Sequence, residues 1–64
     1  SMATAGRISG LVIQALRYLK QGNTDSIVVT KLKRRLSDDD KNTLMNDIRY
    51  APAWIGDIFR KTQG

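Results

Sequence analysis

One short run in this chain has the composition of a β-strand, Ile27-Val28-Val29-Thr30, and nothing else in the sequence could pair with it. β-Branched side chains suit a pleated, half-buried surface. A sheet needs at least a second strand, however, and no other stretch of the 64 residues offers one. The same run also reads as a helix, with Val28, Val29, Leu32 and Leu36 sharing one face. The expected fold class is therefore all-α: a compact bundle of about four short helices, near residues 9–21, 25–36, 38–50 and 52–61.

Boundary signals place these helices. Ser9 is a suitable N-cap, with Ile8 and Ile13 at the spacing of a hydrophobic staple. Leu11, Val12, Ala15, Leu16 and Leu19 then form one face, and Gly22 suits a left-handed C-cap. Thr24 or Asp25 can start the second helix. Ser37 followed by Asp40 fits the S-x-x-D form of a capping box, and Asp38 to Asp40 put negative charge at the positive end of a helix dipole. Leu44, Met45, Ile48 and Ala51 make the third apolar stripe. Pro52 disfavours helical geometry at Ala51 and can itself begin the last helix, whose face is Trp54, Ile55, Ile58 and Phe59. Residues 1–8 carry no periodic pattern and are expected to form a disordered tail. Within it, Ser1-Met2 reads as a protease scar ahead of a start methionine, which fits a piece of a longer protein. Residues 9–62 are expected to form a single small helical domain.

The residue types available exclude most chemistry. The chain has no cysteine, no histidine and no glutamate, and all six acids are aspartate. Thiolate and imidazole metal ligands and the commonest general base are therefore absent. Three successive aspartates at positions 38–40 point about 100° apart on a helix and do not converge on one ion. No spacing proposes an activated nucleophile. The expectation is a protein that is not an enzyme and uses no cofactor or metal. No apolar run approaches the roughly 20 residues that span a bilayer, and the first helix carries only Arg17 and Lys20 on its polar side, too few for a membrane-surface helix. A cytoplasmic location is the default expectation.

The net charge of +5 makes an anionic partner worth testing. Four of the eleven cations fall in "KLKRR", Lys31, Lys33, Arg34 and Arg35. On a helix, Lys31 and Arg35 flank the apolar stripe on one side, Lys33 flanks it on the other, and Arg34 lies further round. They surround the buried face and do not form a single stripe. A solvated basic helix whose last turn complements its own dipole explains them. A helix-turn-helix from the second and third helices would lead its recognition helix with three aspartates, which phosphate repels. Sequence-independent phosphate contact through these four residues remains the alternative function.

The stretch Arg49 to Lys61 gathers the only proline, tryptophan and phenylalanine and one of the two tyrosines. Trp54 and Phe59 at helical spacing fit a core. Arg, Tyr and Trp are also the types enriched at interface hot spots, and Arg49, Tyr50 and Trp54 cluster across the proline corner. The leading expectation is a protein-interaction module whose contacts are Arg49, Tyr50 and Trp54, with Arg34 and Arg35 meeting an acidic patch on the partner. Apolar faces meant for the rest of a longer chain would give a third outcome, self-association.

"LVIQALRYLKQG", the basic second helix and "RRLSDDDKNTLMNDIRYAPAW" resemble the C-terminal part of AbiEi-type abortive-infection antitoxins, over about Ser9 to Lys61. The most specific portion is Arg49-Tyr50-Ala51-Pro52-Ala53-Trp54. The resemblance implies a bacterial type IV toxin–antitoxin system whose antitoxin joins an N-terminal winged-helix repressor to a C-terminal region that neutralises a nucleotidyltransferase-type toxin. No winged-helix pattern exists in this chain, so the role implied is toxin neutralisation and not DNA repression.

Overall fold

Local hydrogen-bonded signals fix the end of the first helix and the starts of the second and third. The computed structural model describes residues 2–34 and 36–62. They form four α-helices: α1 (Met2–Lys20), α2 (Asp25–Lys33), α3 (Asp38–Asp47) and α4 (Ala53–Thr62). A 3₁₀ turn, Ile48–Tyr50, joins the last two, and no strand occurs among the described residues. Gly22, at φ 90°, closes α1. Its N–H donates to the Leu19 carbonyl at 2.9 Å, and the Asn23 N–H donates to the Tyr18 carbonyl at 3.2 Å. These are the paired bonds of a Schellman motif, which needs a left-handed residue and so a glycine. Thr24 then caps α2, its Oγ1 accepting from the Ile27 N–H at 3.3 Å. Ser37 caps α3 in the same way, accepting from the Asp40 N–H at 3.1 Å.

The β-branched run is helical, as the lack of a strand partner requires. Val28 and Val29 are buried, whereas Ile27 is 44% exposed. α2 packs against α1 on one side and α4 on the other. Its two valines meet Ala15, Ile48, Ile55, Ile58 and Phe59 in one cluster. Phe59, Ile55 and Val28 are its largest fully buried side chains. Leu11, Val12, Tyr18, Leu19, Leu32 and Trp54 pack around the edge. α3 buries no residue completely and reaches the core only through Leu44 and Met45. That is what its composition dictates, because polar residues fill most of its ten positions.

Four details differ from the sequence expectation. α1 begins at Met2, where the sequence places a tail and a start at Ser9. The reason lies far along the chain. Arg7 Nη2 donates to Asp47 Oδ2 at 2.9 Å and Ile8 is buried, so the segment meets the end of α3 where the sequence places a free tail. Ser9 is accordingly an exposed mid-helix residue, not a cap. Leu16, expected on the buried face, is 52% exposed because α2 covers the other side of α1. α2 ends at Lys33 and α3 at Asp47, each three residues short of expectation, the latter because the 3₁₀ turn takes over ahead of the proline. Pro52 stands just outside α4, its carbonyl accepting from the Ile55 N–H at 3.0 Å.

Gly10 lies inside α1, and a Cβ built there meets nothing within 4 Å. Glycine in a helix interior is about 1 kcal/mol worse than alanine. Gly10→Ala is therefore expected to stabilise the fold by about 1 kcal/mol and to raise the melting temperature by about 4–8 °C. Thermal denaturation followed by circular dichroism measures this directly, and a fall in Tm would show that the open space at Gly10 is needed.

Candidate interaction surface

The 3₁₀ turn puts the proline-corner residues on the outside. Ile48 turns inward and is buried, while Arg49 and Tyr50 point away. Tyr50 is 65% exposed, and the Arg49 Cζ sits 5.0 Å from its ring centroid. A cation–π contact at an exposed site contributes about 0.5–1 kcal/mol, enough to hold the two side chains side by side as one flat, amphipathic patch. Trp54 is half-buried and packs against the core cluster. The corner thus anchors one aromatic side and presents the other.

Arg49 and Tyr50 form one wall of an open cleft of ≈ 640 Å³. The opposite wall is the first part of α1, with Thr4, Ala5, Ile8 and Ser9. A second cleft, ≈ 390 Å³ and mostly aliphatic, opens between α1, the end of α2 and α3. Ile8 and Asp47 line both clefts. The Arg7–Asp47 pair divides them: Arg7 Nε and Nη2 both donate to Asp47 Oδ2, at 3.1 and 2.9 Å. Nη2 also donates to Thr4 Oγ1 at 3.2 Å, tying the first turn of α1 to the same carboxylate.

The basic segment is divided in its roles. Lys31 Nζ lies 5.1 Å from the Tyr18 ring centroid, and Lys33 Nζ lies 5.6 Å from that of Phe59. These ammonium groups cap aromatic faces of the fold, with their aliphatic stems over apolar surface. Arg34 is exposed and makes no ion pair among the described residues. Arg35 lies outside the described residues. The structure therefore stacks Arg49 on Tyr50, sets Trp54 half-buried against the core at the start of α4, and leaves Arg34 at the end of α2. Thr4, Ala5 and Ser9 are surface partners that sequence reasoning missed. No local signal marks them, because they reach the site only through a contact 40 residues away.

No helix of the described residues is long and apolar enough to cross a membrane. Comparison with known protein families, characterised proteins and solved structures found no match.

Proposed function

We propose that this chain is a protein-interaction module that engages a partner through the Arg49–Tyr50–Trp54 corner and the cleft beside it. The observation that carries this reading is Tyr50, a large aromatic 65% exposed beside a concave surface, with a guanidinium stacked on it. Such a pair offers apolar area, a phenol hydroxyl and a fixed charge at low entropic cost, the features of an interface anchor. The resemblance of Arg49 to Trp54 to AbiEi-type antitoxins supplies the partner class to try first, a nucleotidyltransferase-type toxin. In that case the chain is the neutralising part of the antitoxin.

Tyr50→Ala is expected to weaken partner binding by about 2 kcal/mol, about 30-fold. It should change folding stability by no more than about 1 kcal/mol, the value of the lost ring contact. The experiment is capture of partners by the tagged chain and its Tyr50→Ala variant, with and without nuclease, followed by titration calorimetry. Co-expression with the candidate toxin tests the antitoxin role: growth restored by the chain and lost with Tyr50→Ala supports it. Full-strength binding by the Tyr50→Ala variant overturns the assignment of the corner.

The alternative, non-specific phosphate binding through Lys31, Lys33, Arg34 and Arg35, has a distinct signature. Such binding weakens steeply with added salt and disappears with nuclease. The ring contacts of Lys31 and Lys33 weigh against it, since each ammonium must leave an aromatic face to reach a phosphate.

A further inference from the structure

Two surfaces remain unused by this reading, and each lacks what the other has. The ≈ 390 Å³ cleft is lined by Ile8, Leu11, Leu32, Leu36 and Leu44. That is well above the roughly 150 Å³ that holds one benzene-sized group. Its lining also includes Asp40, whose carboxylate has no ion pair among the described residues, whereas the charges of Arg7 and Asp47 cancel each other. On α1, Ile13 and Leu16 are 54% and 52% exposed, one turn apart on the same face. Arg17 and Lys20 follow them, exposed and without an ion pair among the described residues. The face thus carries two aliphatic knobs beside two cations, and the cleft is an aliphatic socket whose wall carries the unpaired carboxylate of Asp40.

We propose that the chain associates with a second copy of itself head to tail, the Ile13–Leu16 face of one copy seated in the cleft of the next. Arg17 and Lys20 then face Asp40 across the contact. Ile13 lies about 140° round the helix from Ile8, so knob and socket face apart and no copy satisfies its own. The contact is heterologous and builds a ring or an open row. One helix face in one cleft covers less than the about 800 Å² per partner of a standard interface. The association is therefore weak and concentration-dependent, and part of it is screened by salt.

Sedimentation velocity on the whole chain, up to about 1 mM so that even a millimolar contact registers, tests this. The weight-average mass should rise from 7.2 kDa with concentration, and less so at high salt. Leu16→Asp removes the knob, and Thr43→Arg, at an exposed residue of the cleft lining, blocks the socket. Each should weaken association by about 30-fold with unchanged circular dichroism, because both positions are solvent-facing. Mixing the two variants leaves one intact knob and one intact socket, and should give a one-to-one dimer that grows no further. A chain that stays at 7.2 kDa throughout overturns the proposal. So does a mixture that fails to pair, or association that Leu16→Asp abolishes and Thr43→Arg leaves intact, the mark of a symmetric α1–α1 contact.

Discussion

Phe59→Ala should leave this chain largely unfolded at room temperature. Phe59 is fully buried, the largest side chain in the cluster that joins α1, α2 and α4. Truncating a buried phenylalanine costs about 3–5 kcal/mol, part lost transfer energy and part cavity. A single core in a domain below about 70–80 residues rarely supplies more than about 3–5 kcal/mol of net stability. The two quantities are the same size, so the variant has almost nothing left. The Lys33 ammonium above the ring loses its partner as well. Far-UV circular dichroism with a urea titration reads the result. A Phe59→Leu control, which keeps most of the volume, should lose no more than about 1.5 kcal/mol and stay folded. A cooperative melt with wild-type helicity in Phe59→Ala would show that the core closes without this ring.

A comparable loss is expected for Val28→Asp, and almost none for its neighbour Ile27→Asp. Val28 is fully buried between α1 and α4, and no cation lies within the buried cluster to receive a carboxylate. An uncompensated charge there costs on the order of 3–5 kcal/mol. Ile27 is 44% exposed at the first turn of α2, where a carboxylate also favours the positive end of the dipole. Its replacement should change stability by about 0.5 kcal/mol or less. The contrast tests the conformation of the β-branched run. In a strand, Ile27 and Val29 would share one face and Val28 would take the other. The helical register predicts that Val29→Asp, at a residue 4% exposed, behaves like Val28→Asp; like responses at 27 and 29, opposite to that at 28, would contradict it. Denaturant unfolding of the three single variants decides it.

The helix count and three of the four starts were legible because the signals are local. The N–H groups of Gly22 and Asn23 end α1 on carbonyls three and five residues back, and Thr24 and Ser37 accept from N–H groups three residues on. The strand-like run resolved to helix for a reason also contained in the sequence, the want of any second strand. Stripe membership was legible for most core residues, Ala15, Val28, Val29, Ile48, Ile55, Ile58 and Phe59 among them. The nearness of Arg49 and Tyr50 was legible too, since they are consecutive, and the structure stacks one on the other.

Tertiary contact decided the rest. Whether Leu16 is core or surface depends on which sides of α1 acquire neighbours, and α2 covers only one of them. The first turns of α1 have no capping signal and no periodic pattern, yet they are helical in the fold, where Arg7 meets a carboxylate 40 residues away. Both clefts exist only where those turns stand opposite α3 and the 3₁₀ turn. Lys31 and Lys33 read as solvated charges until packing sets Tyr18 and Phe59 beneath them. Short-range hydrogen bonds and spacing choose the helices, because they involve atoms a few residues apart. The surfaces open to a partner are chosen by which helix faces are left over after packing, and that is a property of the whole chain.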